Sequence, residues 1–222
     1  MIRAAATRIN GGEADRLVAQ FARPEDRAFA DERRSPGRRR QRLVVRALLR
    51  RLLTDISEIP AGPWTLEANP ERSPLARAGE ATYAVSTAHS GEFVACALAS
   101  GPAVGIDVER HLPRAFDALA AMLGPGERDL VAVQGGAAFY RVWSLREALA
   151  KASGAGFAGV VDGGDAVATA ARDGGVAIQF RGADYDAAYR PHTSGIGLAL
   201  ARPAEGSTRE VDAAVSAALT EL

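Results

Sequence analysis

The sequence has few cysteine, histidine and lysine residues and no long apolar run. Its single cysteine, Cys96, excludes an internal disulfide and lies in an apolar stretch that predicts a buried thiol. No segment approaches the roughly 18 consecutive apolar residues of a membrane-spanning helix, and residues 1–10 lack the apolar core of a signal peptide. These absences favour a cytoplasmic protein with no membrane partner.

Positive and negative charges balance, with 27 Lys and Arg residues against 27 Asp and Glu residues. A net charge of zero gives no general attraction to nucleic acid, so we expect no nucleic-acid partner. The 222 residues are enough for a buried core, and a content of 47% hydrophobic and 24% charged residues is typical of globular proteins. Function must therefore be sought in local patterns.

The segment 104–109 has the alternation of a strand with one buried face. Apolar β-branched residues occupy every second position, and Gly105, Asp107 and Glu109 lie between them. Asp107 and Glu109 therefore point to the same side, with attachment points roughly 7 Å apart. Two carboxylates at that spacing could share one metal ion, although a solvated strand face is the commoner origin of such a pair.

Further along the chain, residues 142–152 place apolar side chains at helical spacing. Glu147 and Lys151 are four residues apart and are therefore neighbours on this helix. Such a pair is often only a surface ion pair, but Lys151 is the only lysine of the chain. Because an ammonium group and a guanidinium group are not interchangeable, we interpret Lys151 and the three carboxylates as an active site for a divalent metal and a diphosphate.

Arginines are concentrated in residues 33–51. Within this segment Arg42, Arg46 and Arg50 recur every four residues along the edge of an apolar helical stripe. A solvated helix face is the simplest interpretation. A nucleic-acid patch is the rival interpretation, but it would require interleaved aromatic residues for base stacking, which the segment lacks.

Three segments, taken in order, resemble the signature motifs of the 4′-phosphopantetheinyl transferases. They are A-H-S-G-E-F-V at 88–94, G-I-D-V-E at 105–109 and W-S-L-R-E-A-L-A-K at 143–151. Arg146 stands where the family usually has lysine, Ala88 where it has serine, and Arg72-Ser73-Pro74 where Gly-Lys-Pro is common. The length of the chain is similar to that of the monomeric Sfp-type branch of the family.

The resemblance implies a reaction and its cofactors. A member of this family moves the 4′-phosphopantetheine arm of coenzyme A to a serine of an acyl or peptidyl carrier protein. Asp107, Glu109 and Glu147 would bind Mg²⁺, and Glu147 and Lys151 would be catalytic. Lys151 would also contact the phosphates of coenzyme A, and Glu147 or a metal-bound water is the candidate base.

The resemblance also implies contacts to coenzyme A in the N-terminal part of the chain. Arg46 and Arg42 occupy the places of a family arginine that reaches a coenzyme A phosphate, a group that suits the guanidinium fork. His89 would contact the phosphorylated ribose, and Ser90 beside it is a further candidate for cofactor binding.

The predicted fold class is α+β, with two similar halves related by a pseudo-two-fold axis and the active site at their seam. Residues 1–102 would carry the arginine helix and the His89 segment, and residues 103–222 the metal-binding strand and the Glu147 helix. Helix periodicity is found near 12–22, 38–52, 114–133 with a break at 124–126, 142–152 and 211–222. Strands are predicted near 64–67, 83–89, 92–99, 104–109, 176–180 and 195–201, with 83–109 as a three-stranded meander.

Two alternative functions remain open. One is a non-catalytic relative that binds a carrier protein, which the departures at Ala88, Ser73 and Arg146 motivate. The other is a magnesium-dependent nucleic-acid-binding or nuclease domain that combines the arginine helix with the Asp107/Glu109 pair.

Overall fold

A computed structural model describes residues 1–56, 64–67, 73–113, 116–162, 164–165, 167 and 173–222. The departure at Arg72 lies outside the described residues. None of the described helices is both long and apolar enough to cross a membrane. In chain order the elements are β1 (Ile2–Arg8), α1 (Gly12–Phe21), α2 (Pro24–Asp31), α3 (Pro36–Ile56), β2 (Thr65–Glu67), β3 (Leu75–Ala78), β4 (Ala81–Ser90), β5 (Phe93–Ala99), β6 (Gly105–Arg110), α4 (Asp117–Ala120), α5 (Pro125–Gln134), α6 (Gly136–Ser153), α7 (Gly156–Val161), β7 (Gly174–Phe180), β8 (Ala183–His192), β9 (Ile196–Pro203) and α8 (Thr208–Thr220).

The strands form two antiparallel sheets. The first has the order β1-β5-β4-β3-β2, and the second has the order β6-β9-β8-β7. In each sheet the strand that comes first in the sequence lies at one edge, beside the strand that comes last in the sequence. The other strands follow toward the opposite edge in reverse sequence order. Helices combined with antiparallel sheets confirm the α+β class, and the corresponding strand orders fit two similar halves. The pseudo-two-fold axis and the boundary at residue 102 remain predictions.

The predicted three-stranded meander is wrong. β4 and β5 do form a hairpin, but β6 pairs with β9 instead of β5. The reason is that β5 already has two neighbours, since β1 occupies its other edge. The sequence pattern did not reveal β1, because its alanine-rich residues have a low strand propensity.

Three hydrophobic cores lie between the layers of the molecule. Along β5 the side chains alternate between two of these cores: Phe93 and Ala95 face the core between the sheets, and Val94 and Cys96 face α3. The cysteine is thus buried, as predicted. Residues of β9 alternate in the same way between the central core and the core beneath α6. The layers are therefore helices, sheet, sheet and helices, and α8 packs against strands of both sheets.

Serine hydroxyl groups connect β4 to the edge of β6 that lies away from β9. Ser86 Oγ accepts a hydrogen bond from the backbone N–H of Ile106 (3.1 Å), and Ser90 Oγ accepts one from Arg110 (3.1 Å). Ser73 Oγ bonds both backbone groups of the residue that precedes β6. Because unpaired backbone groups at a buried strand edge are costly, these hydroxyls hold the two sheets together. We call the contact of the three serines with β6 the seam.

Gly105 allows α6 to cross very close to β6. A Cβ atom at this position would lie 1.9 Å from the carbonyl oxygen of Ala148 and 2.7 Å from the amide nitrogen of Ala152. These are backbone atoms of the helix, so they cannot move aside without displacing it. The first residue of the G-I-D-V-E motif therefore sets the distance between the strand and the helix that carry the predicted site.

We expect Gly105→Ala to lower the free energy of unfolding by about 3 kcal/mol or more, because the added methyl group overpacks a backbone contact. Gly12→Ala is the matched control, since a Cβ atom there meets nothing within 4 Å. Urea denaturation of the two variants and the wild type measures the difference. If all three proteins unfold at the same urea concentration, the contact between α6 and β6 does not constrain the fold.

Candidate active site

Asp107 on β6 and Glu147 on α6 meet through the ammonium group of Lys151. Lys151 Nζ lies 2.9 Å from Asp107 Oδ1 and 3.4 Å from Glu147 Oε2. The same ammonium group donates a hydrogen bond to the backbone carbonyl of Ile106 (3.0 Å). The structure thus brings these three predicted site residues together, and Lys151 occupies the position between the two carboxylates.

The alternation of β6 explains the direction in which Asp107 points. The apolar residues of this strand face the central core, so Gly105 and Asp107 face the opposite way, toward α6. Glu147 and Lys151 lie one helical turn apart on the side of α6 that meets the strand. The alternation of β6 and the helical period of α6, together with the close packing of these two elements, therefore bring Asp107, Glu147 and Lys151 together.

Glu109, the third predicted carboxylate, accepts a hydrogen bond from a serine of the seam. Ser90 Oγ donates a hydrogen bond to Glu109 Oε2 (2.8 Å) while it accepts the N–H of Arg110. The hydroxyl of Ser90 therefore orients a predicted metal ligand. The contact from Ser90 to coenzyme A that the resemblance implies remains a prediction.

The arginine row of α3 packs against α2 and does not form the solvated face that its spacing suggests. Arg50 is only 3% exposed and pairs with the fully buried Asp26 and with Glu25 (3.0 Å). Its charge is neutralised inside the protein, and its role is structural. Arg42 and Arg46, which precede it in the row, are less completely paired.

Arg42 and Arg46 line a cavity of about 480 Å³ together with His89. Arg42 donates a hydrogen bond to the carbonyl of Phe29 (2.8 Å) and pairs with the exposed carboxylate of Glu32 (3.1 Å). Arg46 keeps one ion pair to α2, at 3.5 Å. Burial lowers the pKa of Arg46, but a guanidinium group stays protonated in proteins. Three predicted coenzyme A residues thus lie around one cavity.

Arg38 is a further residue of this cluster that sequence reasoning did not single out. Its Nη1 atom lies 2.8 Å from Nε2 and 3.1 Å from Nδ1 of His89. Burial and the charge of Arg38 lower the pKa of His89, which favours the neutral imidazole as the acceptor of this hydrogen bond. Arg38 lies one helical turn before Arg42, and this spacing was the available signal.

Three adjoining cavities form a groove across both halves of the molecule. At one end, a cavity of about 320 Å³ is lined by Arg33, Arg38, Arg42 and His89. The cavity of about 480 Å³ comes next and shares several of these residues. The last cavity, of about 260 Å³, shares residues of β4 with the second and reaches Lys151. The groove therefore has guanidinium groups at one end and an ammonium group at the other.

A comparison with known protein families matches the part of the chain that contributes Lys151 to this groove. Residues 103–202 match the family model of the 4′-phosphopantetheinyl transferase superfamily, ACPS. The matched segment makes up slightly less than half of the chain. It includes the carboxylates Asp107, Glu109 and Glu147 together with Lys151, whereas the arginine row lies before it. No curated protein matches the chain. The Sfp-type branch of the superfamily remains a prediction.

The carboxylates of the candidate site have the chemistry that a divalent metal requires. Asp107 Oδ2 is buried and has no hydrogen-bond partner among the residues that the structure describes, and oxygen ligands are the ones that Mg²⁺ prefers. Within the part of the chain that the structure describes, however, no group of three or more His, Cys, Asp or Glu side chains is arranged to hold a metal ion. Lys151 lies between two of the carboxylates, and Ser90 holds the third. The three-carboxylate Mg²⁺ site remains a prediction.

The departures from the transferase motifs have structural explanations. Arg146 is fully buried and forms an ion pair with the equally buried Glu127 (2.7 Å). It also donates hydrogen bonds to two carbonyl groups that follow α6 in the chain. Ala88 belongs to the central core, and Ser73 binds backbone groups at the seam. Arg146 lines none of the three cavities of the groove, whereas Ala88 and Ser73 line two of them.

The crowded carboxylates perturb the ionisation of the candidate site. Burial, followed by the negative charge of Asp107, raises the pKa of Glu147 from 4.5 to about 7. Burial alone would lower the pKa of Lys151, but the two neighbouring carboxylates outweigh this effect and raise it. Lys151 therefore stays charged, and Glu147 changes its charge near neutral pH in the metal-free protein.

This shift predicts a pH dependence of stability. The folded protein binds the Glu147 proton more tightly than the unfolded chain, so the associated stability is complete below pH 4.5 and is lost as the pH rises through about 7. We expect the free energy of unfolding of the wild type, relative to that of Glu147→Gln, to fall between about pH 5 and pH 8. Urea denaturation in the presence of a chelator measures both proteins.

Glu80→Gln is the control for this comparison, because Glu80 is exposed in the turn between β3 and β4. Its stability should follow that of the wild type across the same pH range. A constant difference between wild type and Glu147→Gln at every pH would contradict the raised pKa.

Proposed function

We propose that the protein is a 4′-phosphopantetheinyl transferase that moves the phosphopantetheine arm of coenzyme A to a serine of an acyl or peptidyl carrier protein. The serine oxygen forms a bond to the phosphorus atom that carries the arm. The bond between that phosphorus and the bridging oxygen of the diphosphate breaks, and adenosine 3′,5′-bisphosphate leaves. The serine proton passes to a base, for which Glu147 is the candidate. A phosphoryl transfer of this kind depends mainly on positioning and charge neutralisation.

The observation that carries this proposal is the contact of Lys151 with Asp107 and Glu147 inside the superfamily domain. The ammonium group supplies a fixed positive charge at one end of the groove, where it would contact the diphosphate. Asp107, Glu109 and Glu147 would hold Mg²⁺, which when bound neutralises charge on a diphosphate and its leaving group. Asp107 also keeps Lys151 in place through a direct hydrogen bond.

The charges along the groove support coenzyme A as the donor. Coenzyme A carries a phosphate on its ribose and a diphosphate between the nucleoside and the arm. Guanidinium forks bind phosphate oxygens well, so Arg42 and Arg46 would take the nucleotide end with His89, and Arg38 would assist them. Lys151 would then meet the diphosphate. Both halves of the molecule contribute to the binding of this one substrate.

Other parts of the proposal rest on the resemblance of the motifs and on the length of the chain. They are the carrier protein as acceptor, the Sfp-type branch, the monomeric state and the cytoplasmic location. The repeated strand order of the two sheets agrees with a chain that builds both halves of its own site.

The two alternative functions lose the features that motivated them. A nucleic-acid-binding domain would direct its arginines to solvent, whereas Arg50 is buried and Arg42 and Arg46 line the groove. A non-catalytic relative was suggested by the departures from the motifs. Arg146 has a packing role away from the groove, and the departures at Ala88 and Ser73 leave Asp107, Glu147 and Lys151 in contact. We therefore favour the transferase.

The test of this function is a mass measurement. Incubation with coenzyme A, Mg²⁺ and an apo carrier protein should add the mass of one phosphopantetheine arm to the carrier. We expect Glu147→Gln to slow this transfer by about a hundredfold or more, as is typical for the loss of a general base. Glu80→Gln should transfer at the wild-type rate. A carrier of unchanged mass with the wild-type enzyme would reject the function, and full activity of Glu147→Gln would reject the role of Glu147.

The role of Arg46 is tested by binding. Because a hydrogen bond to a charged group contributes about 1.5–3 kcal/mol, we expect Arg46→Ala to raise the dissociation constant for coenzyme A by about 10- to 100-fold. Titration calorimetry measures the constant. Arg27→Ala is the control, since Arg27 is exposed on α2 and does not line the cavity. An unchanged constant for Arg46→Ala would remove this arginine from the binding site.

A further inference from the structure

The arginine row of α3 packs against a row of acidic and aromatic side chains that runs along α2 and ends just after it. Asp26 and Phe29 are three residues apart and therefore share one face of that short helix. In order along the helices, the contacts are Arg50 to Asp26, Arg46 to Asp26 and Phe29, and Arg42 to Phe29 and Glu32. Carboxylates thus lie at both ends of the row, and the aromatic ring of Phe29 lies between them.

Phe29 is the member of the α2 row that cannot neutralise a charge. The guanidinium carbons of Arg42 and Arg46 lie over its ring, 4.1 and 4.3 Å from the centroid. An aromatic face attracts a cation but uses none of the N–H donors at the edge of the guanidinium plane. A carboxylate at this position would use those donors, as Asp26 does with Arg50.

The ring itself therefore uses none of the N–H donors of either arginine, although Arg42 also pairs with the exposed Glu32 and Arg46 with Asp26. Phe29, Arg42 and Arg46 all line the cavity of about 480 Å³, whereas Arg50 does not. Arg46 Nε is buried and lies 3.5 Å from Asp26 Oδ1, but it makes no hydrogen bond among the described residues. This incomplete pairing distinguishes Arg46 from Arg50, although the two arginines have the same spacing in the sequence.

We propose that Phe29 is a positioning residue that holds Arg42 and Arg46 ready for the phosphate groups of coenzyme A. The inference rests on the proposed function, because that function supplies the ligand. The ring orders two long, flexible side chains before the ligand arrives, and so reduces the entropy lost on binding. Since Phe29 lies at the arginine end of the groove and Lys151 at the other, its loss should weaken binding without slowing the chemical step.

The experiment compares Phe29→Leu, which keeps an apolar side chain but removes the ring, with Phe29→Tyr, which keeps the ring. We expect the leucine variant to raise the dissociation constant for coenzyme A by about 5- to 10-fold, and the tyrosine variant to stay within about twofold of the wild type. The KM for coenzyme A should follow the dissociation constant, while kcat and the KM for the carrier protein stay unchanged. Phe21→Leu, at the end of α1 and away from the cavity, is the matched control.

Inorganic pyrophosphate serves as a second probe, so that failure of the inference can be separated from failure of the proposed function. Equal binding of coenzyme A by wild type and Phe29→Leu overturns the inference and leaves the transferase intact. Loss of binding in the tyrosine variant as well also overturns it, because the ring would not be the cause. If the wild type binds pyrophosphate but not coenzyme A, the proposed function is overturned. The positioning role is still supported in that case if Phe29→Leu weakens the binding of pyrophosphate. Thermal unfolding of each variant identifies any that fails to fold. Phe29→Met, which also removes the ring, then replaces the leucine variant, and Phe29→Trp, which keeps a ring, replaces the tyrosine variant.

Discussion

The close contact between α6 and β6 is the constraint on which the candidate site depends. Because Gly105 has no side chain, the backbone of the helix rests directly on the strand, and Glu147 and Lys151 come within reach of Asp107. Lys151 also binds the carbonyl of Ile106, so a partly buried hydrogen bond keeps the helix in register with the strand. A wider spacing would separate buried charges from their partners, at a cost of several kcal/mol.

The second constraint is the edge of β6 that faces β4. This edge has no partner strand on the side of β4, and the hydroxyl groups of Ser86 and Ser90 satisfy its backbone donors instead. Ser90 also orients Glu109, so the same group that joins the sheets shapes the cluster of carboxylates. The groove continues this arrangement, since its guanidinium end comes from the first half and Lys151 from the second.

Sequence reasoning was most accurate where the evidence was local. The α+β class, the β4–β5 hairpin and the helices α1, α3 and α6 follow from apolar periodicity within each element. Sequence reasoning failed for residues whose roles depend on neighbours that are distant in the chain. The strand β1 has little propensity of its own and is defined by pairing with β5. Arg38 and Phe29 acquire their roles only through His89 and the arginines they contact.

The sequence by itself determined which chemical groups the protein can use: paired carboxylates on a strand, a single ammonium group one helical turn from a third carboxylate, and a regular row of guanidinium groups. These are local properties, because the type of side chain and the period of one element suffice to establish them. Only the tertiary structure decided which arginines remain available to a ligand. Arg42, Arg46 and Arg50 are equivalent in spacing, but Arg50 is hydrogen-bonded to a buried carboxylate, whereas the other two lie over an aromatic ring and line the cavity. That difference arises from the packing of α2 on α3, and the pattern of neither helix alone contains it.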